Sequence, residues 1–407
     1  MTEKKLRFRH NVSSLLLKTY FRKQYSERIV ILHKDKCDYM IIKSLELQDY
    51  RNYDSLNLTF DKGTNILYGD NAQGKTNILE AIFVSATTKS HKGSKDRDIV
   101  NFNKEEAHIR TYLEKEGIET RVDMHLRKSK SKGIAIDGQK LKKAADLLGL
   151  CNVVFFSPED LSIIKEGPSE RRRFVDMELC QLDNFYLYNL NNYNKIVNQR
   201  NKLLKDLFFQ PELKETLNIW DSQLVSFGSK IIERRRLFVN QLNEIIYDIH
   251  KKLSGGKEEI RIVYEPDVEL DEFEQKLRYS QDKDIKAKMT TVGPHRDDFS
   301  FYIGDVDIRK FGSQGQQRTA ALSLKLSEIE LVKRITKDTP ILLLDDVLSE
   351  LDSNRQNYLL NSIGDIQTII TCTGLEEFVN NRFEINRVFK VTDGVVTIPE
   401  GAIERNS

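Results

Sequence analysis

The segment Gly69-Asp-Asn-Ala-Gln-Gly-Lys-Thr76 constrains the fold more than any other stretch of this chain. Its spacing, GxxxxGK[ST], has structural meaning only when a strand precedes it and a helix follows it. Upstream, Asn65–Tyr68 is short and apolar, as a buried strand is. Downstream, the apolar positions of residues 76–84 recur at helical spacing. We therefore predict a buried strand, a glycine-rich loop and a helix in succession.

This loop predicts a phosphate-binding site. Its glycines let the backbone turn so that successive N–H groups surround the phosphates, and the following helix adds its N-terminal dipole. Lys75 is expected to supply a positive charge to the terminal phosphates, and Thr76 a hydroxyl to Mg²⁺. The expected nucleotide-binding residues of the loop are Gly69, Asp70, Asn71, Ala72, Gln73, Gly74, Lys75 and Thr76.

A second stretch complements the loop. Residues 340–346 read Pro-Ile-Leu-Leu-Leu-Asp-Asp, an apolar strand that ends in two carboxylates. Mg²⁺ at terminal phosphates needs a carboxylate or its water-bridged equivalent, so Asp345 is the predicted partner of Thr76. Asp346 is predicted to orient the attacking water. The candidate catalytic residues are Asp346, Asp345 and Lys75, and the candidate metal ligands are Thr76 and Asp345.

Composition excludes several function classes. The chain has 407 residues, of which 39% are hydrophobic and 31% charged, as expected for a soluble, rather polar protein. No apolar run approaches the roughly 18 residues of a membrane helix, so a transporter role would need a separate membrane subunit. The four cysteines are scattered, which indicates neither a zinc site nor a disulfide framework and favours a cytoplasmic protein.

The net charge of +2 does not by itself announce a nucleic-acid partner. A DNA contact would have to come from local basic clusters, such as the one that contains Lys92, Lys95 and Arg97. A solvated loop is the ordinary alternative for each such cluster. Residues 128–133, which alternate lysine and serine before a glycine, are predicted to form a solvated hairpin tip.

Residues 1–39 form a basic extension without patterned apolar positions. The segment fits a nucleic-acid arm, a transit-like peptide or a misassigned start, with translation beginning at Met40. The last interpretation is favoured, because a strand-like alternation starts abruptly at Ile41. The segment is accordingly expected to be dispensable for folding.

The rest of the chain divides into three predicted parts. Residues 40–167 and 289–407 contain the strand-like runs and the motifs, whereas residues 168–288 are mainly helical. Between Leu217 and Leu253 apolar residues recur every three or four positions, and Pro211 lies in the break before them. An antiparallel helical hairpin is the simplest arrangement. Too few heptads are present for a long coiled coil.

The motifs together resemble a family. Gly69–Thr76, Ser313–Arg318 (SQGQQR) and Leu342–Asp352 (LLLDDVLSELD) resemble the ABC-type ATPase heads of DNA-repair and chromosome-maintenance proteins. Four shorter stretches make the chain most similar to the bacterial RecF family, from Met40 nearly to the end. They are LQDYRNY at 47–53, SPEDL at 157–161, GPHRDD at 293–298 and SELD at 349–352.

The resemblance implies an α/β P-loop NTPase of the ABC-ATPase head type with an inserted, mainly helical second lobe. It implies an ATP-dependent homodimer that recognises single-stranded or gapped DNA and, with RecO- and RecR-type mediator proteins, helps load RecA at single-strand gaps. By match, Ser313, Gly315 and Gln316 belong to a signature motif that contacts the nucleotide. The loop at 349–352 crosses the dimer interface. Arg51 and Asn52 are expected near the nucleotide.

Two departures separate the chain from transporter ATPases of the same superfamily. Asp346 stands where those proteins carry glutamate, and no histidine follows His295. A shorter acid reaches less far towards the water, so we expect slow ATP hydrolysis. The resemblance to DNA-repair ATPases further implies that DNA stimulates this hydrolysis. The alternatives are a nucleotide-binding subunit of an ABC transporter and a structural SMC-like chromosome protein. The first does not explain the helical insertion, and the second would have a long coiled coil.

Overall fold

The structure is a computed structural model that describes residues 39–375 and 384–399. The predictions for residues 1–39 therefore lie outside the described residues, except for residue 39. The fold is built on a six-stranded sheet with the phosphate-loop strand near its middle. Across this sheet the strands are Val395–Thr397 (β15), Arg387–Thr392 (β14), Thr64–Tyr68 (β3), Thr368–Cys372 (β13), Ile341–Asp345 (β12) and Val153–Phe156 (β8).

All neighbours in this first sheet are parallel except the antiparallel pair β14 and β15. Parallel strands are covered on both faces, which explains why β12 and β8 are continuous apolar runs rather than alternating ones. Successive residues of β12 point to opposite faces. Leu342 and Leu344 join one hydrophobic cluster, and Ile341 and Leu343 join another. The sheet thus separates two cores.

A second, antiparallel sheet of six strands has the order β2-β1-β4-β5-β6-β7. Its buried positions alternate, as in Ala107, Ile109 and Leu113 of β4, because only one face of the sheet is covered. Those side chains share a cluster with the helix that follows the phosphate loop. The strands are Ile41–Tyr50 (β1), Tyr53–Thr59 (β2), Glu106–Lys115 (β4), Ile118–Arg127 (β5), Gly133–Ile136 (β6) and Gln139–Lys140 (β7).

A small third sheet has the order β11-β10-β9, with strands Ile260–Glu265 (β9), Asp298–Ile303 (β10) and Val306–Asp307 (β11). None of the helices in the described part of the chain has the length and apolarity needed to cross a bilayer. These helices are Lys75–Thr87 (α1), Asp96–Ile99 (α2), Leu161–Lys165 (α3), Pro168–Leu182 (α4), Asn184–Asp206 (α5), Leu217–Leu253 (α6), Phe273–Tyr279 (α7), Gln281–Ala287 (α8), Ile308–Phe311 (α9), Gln314–Thr336 (α10) and Ser353–Ser362 (α11).

The helical hairpin predicted around Pro211 is confirmed. Arg200 near the end of α5 contacts Asp221 near the start of α6, and Tyr186 near the start of α5 contacts Arg235 further along α6. Contacts in this order require antiparallel helices. The apolar face of α6 joins the cluster that covers one side of the parallel sheet. A separate lobe at residues 168–288 stays a prediction.

Arg200 ties the hairpin to the chain that returns from it. Its guanidinium is fully buried and donates to Asp221 at 2.6 Å and to Asp284 at 2.6 Å, and Asp284 is fully buried as well. Asp284 also accepts hydrogen bonds from the backbone N–H and hydroxyl of Thr291. Buried charges persist in a fold only when they are paired in this way. The arginine and its two carboxylates therefore act as one unit.

Removing Arg200 tests this unit. We expect Arg200→Met to lower the free energy of unfolding by about 3–5 kcal/mol, since it leaves buried carboxylates without a counter-charge. Arg236→Met is the matched control on the same hairpin, because Arg236 pairs with Glu269 at a half-exposed position. Its cost should stay under about 1 kcal/mol. Urea unfolding of the parent and both variants measures the difference, and equal costs would contradict the assignment.

Candidate nucleotide-binding site

The phosphate loop lies between β3 and α1, as predicted, at the carboxyl edge of the parallel sheet. Gly74 ends the loop with φ 107°, a conformation that favours glycine. A Cβ at this position would also lie 2.5 Å from Nδ2 of Asn52. Ala72 adopts φ 64°, which is uncommon for a residue with a side chain. Such left-handed conformations cluster at ligand-binding turns, where the surroundings impose them.

Lys75 begins α1 and is 7% exposed. Its ammonium donates to the backbone carbonyls of Gly69 and Asp70, at 2.6 Å each, so the side chain folds back along the loop. Burial lowers the pKa of Lys75, while the carboxylates of Asp346 and Asp345 act in the opposite direction. The Lys75 ammonium therefore lies within the phosphate loop, where the terminal phosphates of a nucleotide are expected.

The predicted pairing of Thr76 with Asp345 is present. The Thr76 hydroxyl donates to Oδ1 of Asp345 at 2.8 Å, although the two residues are 269 positions apart in the chain. Thr371, at the end of the neighbouring strand β13, donates to the same oxygen at 2.7 Å. A hydroxyl and a carboxylate side by side are the hard oxygen ligands that Mg²⁺ prefers. These residues fit a magnesium ion.

Asp346 follows directly and has the left-handed φ of 53°. Its N–H lies 3.0 Å from the Thr371 hydroxyl and 3.2 Å from the Thr371 carbonyl, and its own carbonyl accepts from Ser349 at 2.8 Å. Burial raises the pKa of the Asp346 carboxyl, Lys75 lowers it and the negative charge of Asp345 raises it. The turn thus places a second carboxyl beside the first, in the field of Lys75.

Asn52 contacts the phosphate loop, and its expected role near the nucleotide stays a prediction. Its Nδ2 donates to the Gln73 carbonyl at 3.3 Å, and its Oδ1 accepts from Asn77 at 2.8 Å. Arg51 is engaged elsewhere. Its guanidinium is bidentate to the buried Glu80, with both N–O distances 2.8 Å, and these contacts raise its pKa. A role for Arg51 at the nucleotide stays a prediction.

The signature residues begin α10. Ser313 caps the helix, accepting from the Gln316 N–H at 3.2 Å, while its own N–H donates to Oε1 of Gln316 at 2.9 Å. This reciprocal pair leaves Ser313 and Gly315 exposed at a helix N-terminus. The loop at 349–352 lies beside them, since Arg318 of α10 pairs with Glu350 at 3.3 Å. Both motifs therefore belong to one surface.

Sequence reasoning missed two supports of the site. Thr371 holds the carboxylate of Asp345 and the N–H of Asp346, as described above. Gln73 is held by the turn between β14 and β15, where the N–H of Asp393 donates to its side chain and the N–H of Gly394 donates to its carbonyl at 3.3 Å. The position of Thr371 at a strand end is a usable signal, but only once β13 is known to lie beside β12.

Thr371→Val tests the support of the carboxylates. Valine keeps the shape and removes the hydroxyl, so Asp345 loses a donor and the Asp346 N–H an acceptor. We expect Mg²⁺-nucleotide affinity to fall at least about tenfold, because a hydrogen bond to a charged group contributes roughly 1.5–3 kcal/mol and about 1.4 kcal/mol corresponds to a factor of ten. Thr368→Val, three residues earlier on β13 and bonded to Ile366, is the control and should bind like the parent. Calorimetric titration of the parent and both variants with Mg²⁺-nucleotide measures the affinities. Equal affinities of the parent and Thr371→Val would contradict the role of Thr371.

Comparison with known proteins places this chain in a family. The model of the RecF/RecN/SMC N terminal domain matches residues 41–397. The DNA replication and repair protein RecF of Lachnospira eligens is 64% identical over 359 residues, which cover 88% of this chain and 99% of that protein. RecF of Lachnoclostridium phytofermentans is 65% identical over 357 residues, which cover 88% of this chain and 99% of that protein.

Solved structures of related proteins have a similar fold. A structure of the recombination mediator protein RecF with ATP in the RecFOR pathway has a TM-score of 0.83 at 35% identity, covering 91% of this chain and 100% of that chain. The Smc head domain of Pyrococcus furiosus has a TM-score of 0.52 at 17% identity, covering 88% of this chain and 96% of that chain, and shows the fold alone. The predicted fold class, an ABC-ATPase head, is confirmed. The chain belongs to the RecF family of DNA replication and repair proteins.

Proposed function

We propose that this chain is an ATP-dependent DNA-binding protein of recombinational repair and replication-fork maintenance. It mediates recombination as its RecF relatives do, and it hydrolyses ATP slowly, with stimulation by DNA. The observation that carries the proposal is the Thr76–Asp345 contact, which joins the phosphate loop to the carboxylate strand in a chain of this family. The relative solved with ATP supports ATP as the nucleotide.

The RecFOR pathway of that relative supplies the proposed partners. The chain acts in the cytoplasm on single-stranded or gapped DNA, and with RecO- and RecR-type proteins it helps load RecA. Lys92, Lys95 and Arg97 are exposed and are proposed DNA contacts. Contacts of this kind are electrostatic, so DNA affinity should fall steeply with salt.

Each residue at the phosphate loop has a proposed task. Lys75 holds the terminal phosphates, and the loop N–H groups surround them. Thr76 and Asp345 would hold Mg²⁺, which neutralises phosphate charge when bound. Asp346 accepts a hydrogen bond from the attacking water and orients it. The aspartate side chain is one methylene shorter than that of glutamate, so its carboxylate reaches less far towards the water. The weaker hold on the water is consistent with slow ATP hydrolysis.

The exposed signature surface fits a second copy of the chain. Ser313 and the N-terminus of α10 offer a hydroxyl and a helix dipole, the groups that bind an anion. We propose that they bind the γ-phosphate of an ATP held by the other copy. ATP then joins two identical surfaces related by a two-fold axis, with Gly315, Gln316 and residues 349–352 at the contact.

Asp346→Asn tests the hydrolytic step. It removes the carboxylate that orients water but keeps Lys75, Thr76 and Asp345, so ATP should bind at parental affinity while its hydrolysis falls by at least about tenfold. Lys75→Ala is the contrasting variant and should lose nucleotide binding itself. Hydrolysis is measured with and without gapped DNA. An Asp346→Asn protein that hydrolyses ATP at the parental rate would show that Asp346 has no such role.

Ser313→Arg tests the dimer. A bulky cation at this exposed position should block the approach of a second copy, while ATP binding by the phosphate loop stays within about twofold because no loop residue changes. Ser362→Arg is the control, since Ser362 is exposed at the far end of α11. Sedimentation with a non-hydrolysable ATP analogue compares the three proteins. A parent that remains monomeric, or a Ser313→Arg variant that dimerises as the parent does, contradicts the proposed dimer.

A further inference from the structure

The uncovered face of the antiparallel sheet contains a cluster of two histidines and a glutamate. His108 on β4 lies directly across from His125 on β5, and Glu106 lies two residues before His108 on the same face. The two imidazole rings are stacked, with centroids 4.3 Å apart and planes inclined by 18°. Nε2 of His125 lies 2.5 Å from Oε2 of Glu106. The three side chains therefore form one group at the surface.

The next row on this face is built differently. Arg110, two residues after His108, donates to Glu46 at 3.1 Å and to Asp123 at 2.6 Å. These two carboxylates are thus neutralised by a side chain that is always charged. Glu106 instead faces the imidazole of His125, a side chain whose ring nitrogens are common metal ligands. Within the described part of the chain, Glu106, His108 and His125 are the group of histidine and carboxylate side chains close enough together to hold a metal ion.

We propose that Glu106, His108 and His125 bind a late first-row divalent metal ion such as Zn²⁺. One ligand atom from each of the three residues lies within 4.8 Å of those of the other two. Two imidazoles and a carboxylate are a ligand set that suits zinc, and three protein ligands leave further positions to water. Cross-strand pairing fixes the histidines on a sheet, which lowers the entropy lost when the ion binds. Mg²⁺ prefers oxygen ligands and should not compete.

Arg127 opposes metal binding at His125. Its Nη2 lies 3.3 Å from Nδ1 of His125 and can donate to that nitrogen in the tautomer that carries the ring proton on Nε2, facing Glu106. Metal binding through Nε2 has to displace this proton and move one to Nδ1, against the guanidinium. The arginine therefore weakens the site, both through this tautomer and through its charge. Removing it should strengthen binding, an effect opposite to that of removing a ligand.

Zinc titration of the full, untagged chain without nucleotide or Mg²⁺ tests the proposal, with a chromophoric chelator as competitor. His108→Gln and His125→Gln should each weaken the site at least about tenfold, because each removes one of three ligands. Arg127→Gln should tighten it severalfold. Glu46→Gln, on the same face, is the control and should bind like the parent.

The chain has further histidines and cysteines, so the decision rests on the difference between proteins. The parent should bind one Zn²⁺ more than the double variant His108→Gln/His125→Gln. Zinc should raise the melting temperature of the parent and not that of the double variant, because an ion that binds only the folded state stabilises it. Equal stoichiometry and affinity in the parent and the double variant, or no zinc binding by the parent, would overturn the proposal.

Discussion

The hydrogen bond between Thr76 and Asp345 is the contact on which the site depends. It joins the start of α1 to the end of β12, two elements from opposite ends of the described chain. Strand β13 lies between the two elements, since it pairs with β3 on one side and with β12 on the other, and it thereby sets the distance between Thr76 and Asp345. The order of strands in the parallel sheet therefore decides the chemistry at its edge. The chain between Thr76 and Asp345, which includes the helical hairpin, can be long because the pairing of strands in the sheet sets the distance between these two residues.

Much of this arrangement was predictable because its signals are local. The phosphate loop, its flanking strand and helix, the carboxylate strand and the break at Pro211 each follow from spacing and apolar pattern, and the structure has all of them. The pairing of Thr76 with Asp345 was predicted from the coordination chemistry of Mg²⁺. Asn52 was expected near the nucleotide by resemblance alone, and in the structure its side chain donates to the Gln73 carbonyl of the phosphate loop.

The remaining features depend on contacts that no local pattern encodes. Thr371 became part of the site only through the strand order, and Arg51 turns to Glu80 because α1 presents that carboxylate beside it. The stretch GPHRDD at 293–298 gave a family match but no role. In the structure its Asp297 is fully buried and accepts from Arg235 at 2.7 Å and from the Asp267 N–H at 2.9 Å, so it anchors the returning chain to α6. A motif conspicuous in sequence is here part of the scaffold.

The turn between β14 and β15 backs the phosphate loop through Gln73, and β14 itself pairs with the loop strand β3. A ribosome makes the loop early and this backing some 320 residues later. Until residues 345 and 346 are made, the nascent chain therefore carries a complete phosphate-loop motif without its carboxylates, and it lacks the support of Gln73 until the turn between β14 and β15 follows. The nucleotide site is finished only when the turn between β14 and β15 has emerged, so termination before this turn leaves the motif intact in sequence but without the architecture that makes it a site.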